Sequence, residues 1–391
     1  MKIDYSKALD KIKFWKNIVE NAKDFTGTSP PSLFVGRAFY PKVYVGILSP
    51  PQHKEDAEML DFPEKWYQQR ASIEQILDYR GQMIYSRFKS PVANPKGKLV
   101  EVVQEMSIAK RPVDVEIQLK KNPQFKFNFD NWFAPVGNPA PILEAKLTEN
   151  PRIERKVDYI VSDVDLKAQG AVSKLYEYRI PVSRIQKIFS SGSVGLPIQR
   201  KFVPTRWSIT AVDDIIGKLL MEEIKTFQEI GEYMLFSNEY LANHFEVLLI
   251  PHSYQYEFIE AWDVDKPHPF IGSDFEPYWG RKTYASGTAG AFYAAKLAVM
   301  EYLEKIKRQA AVLIVREVKP EYYAPVGVWE VRENVRGAFS KPAEKFDSIG
   351  KALQRIYSRM LIRDKWTGKS KLLENLKEQR KIKEFFPKNN G

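Results

Sequence analysis

Four runs decide the fold: FEVLLIP (Phe245–Pro251), YEFIEAW (Tyr256–Trp262), AFYAAKLAVM (Ala291–Met300) and AAVLIVREV (Ala310–Val318). The first, second and fourth are rich in β-branched and aromatic residues, which favour strands. The third is apolar on most sides, so it predicts a buried helix, which we place at Gly290–Ile306. Strands that alternate with a long helix predict a mixed α/β or α+β globular fold.

Hydrophobic patterns predict further elements in the rest of the chain. The runs predicted as strands are Leu33–Arg37, Lys42–Ser49, Leu99–Ala109, Val113–Leu119 and Gly327–Glu333. The predicted helices are one opened by Pro63 that reaches Tyr79, one at Ala168–Glu177 and a surface helix at Asp347–Ile362. Together these elements predict a globular body over residues 1–340.

The charge of the chain is distributed unevenly along its 391 residues. The net charge is +11, and residues 341–391 contain 14 lysines and arginines against 6 aspartates and glutamates. Such an excess suits a polyanionic partner. We therefore predict a basic C-terminal extension at residues 341–391, with a flexible tail that begins near Thr367.

Cysteine is absent from the sequence. Its absence excludes disulfides, a zinc-cysteine site and a cysteine nucleophile, and it fits an intracellular protein from a thermophile. The N-terminal segment is charged and lacks the apolar core of a signal peptide, and no apolar run is long enough to span a bilayer. We expect a cytoplasmic protein with no membrane partner.

The segment KEQRKIKEFFPK (Lys377–Lys388) contains a compact apolar cluster. Ile382, Phe385 and Phe386 have i, i+3, i+4 spacing, so a single helical or 3₁₀ turn places them on one face. Gln379 precedes them by one turn. The pattern resembles the PCNA-interacting peptide that attaches replication and repair proteins to the sliding clamp. The alternative is an amphipathic helix that docks on the protein's own body; the flanking lysines favour a partner.

The segment RKFVPTRWSITAVDD (Arg200–Asp214) is the strongest candidate for a catalytic or anion-binding site. Thr210 predicts a helix N-cap, which places Asp213 and Asp214 in the first turn. The basic residues before it are Arg200, Lys201 and Arg206. Free N–H groups at a helix N-terminus favour phosphate, and the two aspartates could hold Mg²⁺ or Mn²⁺. A helix cap with a structural Arg–Asp network explains the same residues equally well.

A second candidate lies in FVGRAFYP (Phe34–Pro41). Arg37 follows a glycine that permits close approach of a ligand, and Tyr40 follows three residues later. A base could stack on the tyrosine while the arginine binds phosphate. An ordinary corner between two strands is the alternative interpretation.

Paired carboxylates and histidines are weaker candidates. Asp114 and Glu116, and likewise Asp163 and Asp165, alternate as on one strand face. Each pair could bind a divalent cation, but a solvated sheet face opposite lysines is the favoured interpretation. The histidines His244, His252 and His268 lack metal-ligand spacing and are interpreted as core or loop residues.

Several blocks of the sequence resemble the archaeal Nre ("novel repair") family. They are SPPSLFVGRAFYPKVYVG (Ser29–Gly46), RKFVPTRWSITAVDD (Arg200–Asp214), AGAFYAAKLAVMEYL (Ala289–Leu303) and PVGVWEVRENVR (Pro325–Arg336). The resemblance implies a DNA repair protein with a C-terminal clamp-binding peptide, and it defines no chemical activity. Some members begin with a cysteine-rich zinc motif ahead of the SPPS segment, and this sequence has no cysteine to form it.

These observations lead to two hypotheses of function. In both, the protein acts in DNA repair and is recruited to DNA, and hence to the nucleoid, by the PCNA sliding clamp. In the first it is an enzyme that acts on a nucleic-acid or nucleotide phosphoester, with Arg206, Asp213 and Asp214 at its centre and a divalent cation as cofactor. In the second it is a non-catalytic adaptor that binds DNA and the clamp. The sequence leaves both open.

Overall fold

Two six-stranded sheets and one two-stranded sheet organise residues 6–378, which are the residues that the computed structural model describes. The predicted mixed α/β fold is confirmed. The chain divides into two compact units. Among the described residues, the first runs to Leu220 and also contains Tyr322–Glu333, and the second contains Met221–Glu321 and the chain from Asn334 to residue 378. This division differs from the predicted single body followed by an extension.

The first unit contains the strands β1 to β8, the helices α1 to α8 and most of helix α9. Its strands are β1 Asp24–Ser29, β2 Leu33–Val35, β3 Lys42–Ser49, β4 Ile84–Pro91, β5 Val113–Leu119, β6 Phe127–Asn128, β7 Val136–Gly137 and β8 Pro139–Leu147. Its helices are α1 Ser6–Ile12, α2 Lys16–Glu20, α3 Pro63–Gln68, α4 Ile73–Gly81, α5 Lys98–Ile108, α6 Arg155–Ser162, α7 Ala168–Glu177, α8 Val182–Ser190 and α9 Thr205–Ile224, which ends in the second unit.

The large sheet of the first unit has the strand order β1-β5-β8-β4-β3-β2. All neighbours in it are antiparallel except β4 and β8, which are parallel. Helix α5 covers one face, where Val100 and Met106 join the core that contains Val45 and Ile117. One face of β3 and β4 thus packs on the core, and their side chains on the other face are available for a site.

The second unit is built on a sheet with the order β12-β11-β13-β10-β9-β14. Its strands are β9 Tyr233–Tyr240, β10 Asn243–Ile250, β11 Gln255–Trp262, β12 Phe270–Glu276, β13 Ala311–Val318 and β14 Glu344–Phe346. Its helices are α10 Gly290–Ile306, α11 Trp329–Phe339, which begins in the first unit, α12 Ile349–Arg359 and α13 Lys371–Glu378. All residues of β11 and β13 are buried, as continuous apolar strands covered on both faces require.

Helices cover both faces of this second sheet. On one face Ile259 and Leu313 pack with Ile356 of α12. Tyr256 points to the other face because side chains alternate along a strand, and its hydroxyl donates to the carbonyl of Phe292 in α10 at 3.1 Å. Helix α10 has the bounds that the sequence predicted, and it is buried along most of its length.

Some predicted elements are wrong. Leu99–Ala109 forms helix α5 instead of a strand, and Gly327–Glu333 leads into helix α11. Val100, Val103 and Met106 are buried in α5 with spacings of three residues, which is a helical period. The β-branched composition therefore misled the prediction, because tertiary packing overrides local strand preference. The helix predicted from Pro63 to Tyr79 is broken into α3 and α4 at Arg70, whose φ is 54°.

The second unit includes the described part of the predicted C-terminal extension. Strand β14 pairs with β9, and α13 buries Leu372 and Leu373 at residues that were predicted to belong to a flexible tail. The Glu257 carboxylate accepts the hydroxyl of Ser370 and the N–H of Lys371 (2.9 Å) at the start of α13. Residues 379–391 lie outside the described part of the chain. Between residues 6 and 378, every helix is too short or too polar to cross a bilayer.

Candidate nucleic-acid interface

The predicted helix N-terminus at Thr210 is wrong. Helix α9 begins at Thr205, directly after Pro204, so Thr210 lies inside it. Asp213 and Asp214 therefore lie about two turns from the start of α9. Backbone N–H groups at that depth donate within the helix and are not free for an anion. The free N–H groups of α9 lie instead in its first turn, which contains Arg206.

The two adjacent aspartates of α9 have different environments. Asp213 is buried, and Nη1 of Arg332 donates to both of its carboxylate oxygens at 2.9 and 3.0 Å. The amide of Gln186 donates to the same carboxylate at 3.0 Å. Asp214 lies on the outer side of the helix, where Nζ of Lys218 is 2.6 Å from its carboxylate. Both pairs have the geometry of structural contacts.

The basic residues of the same segment lie in different environments. Arg200 donates from Nε to the Gly195 carbonyl at 2.9 Å and from Nη2 to the Val161 carbonyl at 2.7 Å, so its guanidinium stabilises local backbone. Lys201 is exposed and its backbone forms an isolated bridge with Ala93.

Arg206 instead lines a cavity of about 280 Å³ together with Arg37 and Arg87. The three arginines come from the β2–β3 loop, from β4 and from the first turn of α9. Asn128 and Asp130 add polar groups to the wall of this cavity. We call it the arginine cavity. The two segments that the sequence indicated separately, FVGRAFYP and PTRWS, therefore meet in one site.

Local contacts hold two of the guanidiniums in place. That of Arg87 lies over the ring of Tyr44, 4.1 Å from its centroid. That of Arg206 lies 4.0 Å from the ring centroid of Trp132 and has Nη1 3.5 Å from the carboxylate of Asp130. Stacking on an aromatic face restricts an arginine without neutralising it. These side chains are therefore positioned and still charged.

A hydrogen bond from a backbone N–H to a side-chain hydroxyl connects the two segments that contribute Arg37 and Arg206. The N–H of Val35 donates to Oγ1 of Thr205 at 2.9 Å. Val35 precedes Arg37 by two residues, and Thr205 directly precedes Arg206. The hydrogen bond thus fixes the end of β2 to the start of α9, which explains why residues far apart in sequence line one site.

Exposed aromatic side chains are close in sequence to the residues that line the arginine cavity. The exposed fractions are 68% for Phe39, 51% for Tyr40 and 44% for Trp207. Tyr40 and Trp207 contact each other with ring centroids 5.1 Å apart, and each is close in sequence to a cavity arginine. Large exposed aromatic groups that do not enter the core are a feature of binding surfaces. Arginines beside stacking surfaces form the combination that recognises single-stranded nucleic acid.

The other carboxylate candidates make ordinary polar contacts. Asp114 accepts the Thr28 hydroxyl at 2.6 Å, and Glu116 pairs with Lys146 at 2.8 Å on a solvated strand. The strand predicted at Asp163 and Asp165 is wrong, because Asp163 follows α6 and accepts the N–H of Asp165 at 3.0 Å in a turn.

The histidines lie in or near loops and strand ends. His244 is largely buried, with Nδ1 3.3 Å from Glu239 and Nε2 2.9 Å from Glu246. Burial lowers the pKa of His244, but the two glutamates outweigh it, so the net shift is upward. Within residues 6–378, no group of three or more histidine, cysteine, aspartate or glutamate side chains is placed to hold a metal ion.

Several residues of this region were not predicted from the sequence. Arg87 and Asp130 had no recognisable motif. Arg87 lies on a strand and pairs in register with Gly46, and the alternation of Arg87 with Lys89 was the available signal for a basic strand face. Arg332 was hidden in a segment predicted as a strand. The predicted clamp-binding residues, Gln379, Ile382, Phe385 and Phe386, lie outside the described part of the chain.

Comparisons with known proteins cover nearly the whole chain. Residues 3–267 match the family model described as archaeal Nre, N-terminal, and residues 276–385 match archaeal Nre, C-terminal. DNA repair protein NreB of Archaeoglobus fulgidus is 39% identical over 371 residues, which cover 93% of this chain and 92% of the relative. DNA repair protein NreA of the same organism is 40% identical over 351 residues, covering 88% and 87%. NreA of Haloferax volcanii is 36% identical over 342 residues, covering 84% and 81%. No solved structure matches the chain.

Proposed function

Because this chain belongs to the archaeal Nre family, we propose that it is a DNA repair protein that binds a nucleic-acid strand at the arginine cavity and is recruited by the PCNA sliding clamp. The names of the relatives, all DNA repair proteins, support the repair role. The observation that carries the binding proposal is the meeting of Arg37, Arg87 and Arg206 in one cavity.

The chemistry of the arginine cavity suits a strand better than a folded protein surface. Guanidinium groups bind phosphate with two parallel hydrogen bonds. The ring faces of Tyr40 and Trp207 provide stacking surfaces, and each stacked base contributes about 1–3 kcal/mol. A strand has phosphates and bases at a regular spacing, so it can engage both features at once.

The environment of the α9 aspartates supports the adaptor hypothesis over a hydrolase centred on them. Both carboxylate oxygens of Asp213 accept hydrogen bonds from Arg332, and Asp214 pairs with Lys218 away from the buried side of the helix. A metal-binding carboxylate needs free oxygens. Incubation of labelled oligonucleotides with the protein and Mg²⁺ or Mn²⁺ tests this choice, and strand cleavage that Asp213→Asn abolishes in a folded protein would favour the hydrolase.

Fluorescence anisotropy with a single-stranded oligonucleotide tests the proposed interface. We expect Arg37→Ala to weaken binding. The slope of log K against log salt concentration should become less steep by about 0.7 for each phosphate that the variant no longer neutralises. Trp207→Ala removes stacking, so it lowers affinity without changing that slope. Arg111→Ala is the matched control, since Arg111 is an exposed arginine of the same unit that does not line the arginine cavity. Equal affinity and slope for Arg37→Ala and Arg111→Ala would refute the proposed interface.

Clamp recruitment rests on the sequence pattern that starts directly after α13. Changing Phe385 and Phe386 together to alanine removes the two largest apolar groups of the peptide, and aromatic anchors dominate interface energies. Calorimetry with the cognate clamp should show loss of binding, while anisotropy with the oligonucleotide stays unchanged. A double variant that binds the clamp as tightly as the parent would show that the peptide has another role.

A further inference from the structure

We propose that the arginine cavity recognises the phosphate monoester at the end of a nucleic-acid strand. This inference rests on the proposed function and specifies which part of the strand the cavity binds. The charge of the cavity matches this ligand. Arg37, Arg87 and Arg206 line the cavity, and Asp130 is the one acidic residue among the described residues that line it. The net charge is therefore +2, which matches a dianionic monoester, whereas an internal phosphodiester carries one negative charge.

Much of this positive charge is available to a ligand. Asp130 is 3.5 Å from Arg206 and offsets part of its charge. Within residues 6–378, neither Arg37 nor Arg87 forms a side-chain hydrogen bond or an ion pair; the guanidinium of Arg87 contacts only the rings of Tyr44 and Tyr85. Two guanidiniums that line one cavity, neither of them paired with a carboxylate, repel each other. An anion between them removes that repulsion and gains charge-assisted hydrogen bonds.

The volume of the cavity also suits a small anionic ligand. About 280 Å³ lies just below the range for small-molecule sites. A phosphate with its attached nucleoside is a ligand of this size class. The aromatic surface of Tyr40 and Trp207 lies beside Arg37 and Arg206 in sequence, and it provides stacking for the adjacent bases. The combination fits a chain end whose terminal phosphate enters while the following nucleotides stack outside.

Three probes of one sequence test the inference with the full chain: an oligonucleotide with a 5′-phosphate, the same oligonucleotide with a 5′-hydroxyl, and the free nucleoside monophosphate of its first residue. We expect the 5′-phosphate to improve binding at least about tenfold, because the 5′-hydroxyl lacks the negative charges and the acceptor oxygens that pair with two guanidiniums at once. The advantage should shrink from pH 7.5 to pH 5, since the second pKa of a phosphate monoester is about 6 and arginine stays charged.

The variants separate this inference from the proposed function. Arg37→Ala and Arg87→Ala should each reduce the advantage of the 5′-phosphate to near onefold, and Arg111→Ala should retain it. Arg37 is exposed and has no hydrogen-bond or ion-pair partner among residues 6–378, so Arg37→Ala tests the idea even if Arg87→Ala fails to fold. If both oligonucleotides bind equally and Arg37→Ala weakens them alike, the monoester inference is wrong and the strand-binding proposal stands. If Arg37→Ala changes neither, both are wrong. Free monophosphate that binds as tightly as the strand would overturn the strand-end assignment.

Discussion

Replacing Asp213 by asparagine removes the main counterion of a buried arginine, and we expect this change to destabilise the first unit strongly. Arg332 is fully buried, and its Nη1 donates to both carboxylate oxygens of Asp213. Removal of one partner from a buried ion pair costs about 3–5 kcal/mol, because the remaining charge stays desolvated. Glu333 lies 3.6 Å from Nε of Arg332 and still offsets part of its charge in the variant. We therefore expect the free energy of unfolding to fall by an amount at the lower end of this range, about 3 kcal/mol.

The neighbouring aspartate is the matched control. Asp214→Asn makes the same chemical change one residue later in α9, where the partner is the half-exposed Lys218. Pairs of this kind contribute about 0.3–0.5 kcal/mol. For a unit of this size a loss of 1 kcal/mol lowers Tm by about 2–4 °C, so Asp213→Asn should lower it by about 6–12 °C and Asp214→Asn by less than about 2 °C.

Differential scanning calorimetry measures both shifts, and hydrogen exchange assigns the affected transition to the first unit. A double variant Asp213→Leu, Arg332→Met should be less destabilised than the two single changes added together, because an apolar pair leaves no buried charge. If Asp213→Asn melts like Asp214→Asn, the ion pair does not stabilise the unit, and our assignment of Asp213 to a structural role fails.

Three further predictions concern the rest of the molecule. The pKa of His244 is raised in the fold, so protonated His244 stabilises the fold below about pH 6.5, and this stabilisation is lost as pH rises through the folded-state pKa. His244→Gln should therefore make the decline of Tm between pH 6 and pH 8 less steep. An unchanged decline would exclude His244 as its source. A chain that ends at residue 369 should melt below one that ends at residue 378, because it lacks two buried leucines, each stabilising by about 1.5–3 kcal/mol; equal melting would contradict the docking of α13. Gly46→Ala puts a methyl group 2.1 Å from the carbonyl oxygen of Ser86. Urea unfolding should show that the free energy of unfolding falls by about 3 kcal/mol, as for severe overpacking. Parental stability would mean that β3 and β4 can move apart to make room for the methyl group.

Elements with a strong local signal were predicted from the sequence. Helix α10 and the strands β10, β11 and β13 correspond to the predicted elements, because each is long, apolar and bounded by turn residues. The prediction failed for α5 and α11, where β-branched and aromatic residues occupy a helix. In α5 the valines at 100 and 103 lie three residues apart on the side that packs against the sheet. Their burial, which the sequence does not display, selected the helical period.

The candidate site shows the same limit at the level of single side chains. The sequence indicated Arg37 and Arg206 as possible phosphate ligands, each with an ordinary structural alternative. It had no means to join them with Arg87, because their convergence depends on strand pairing and on the hydrogen bond between Val35 and Thr205. Proximity of residues distant in sequence is a property of packing.

By itself, the sequence determined the mixed α/β class, the buried helix at the centre of the second unit, the family and the two segments that contribute to the site. The tertiary structure decided what each charged residue does. Asp213 and Asp214 are identical and adjacent, yet only the first lies on the buried side of α9, where it pairs with Arg332. The interaction energy of a charged side chain depends on the local dielectric and on the groups around it. Tertiary packing sets that dielectric and those neighbours, whereas the local sequence pattern sets only the helix.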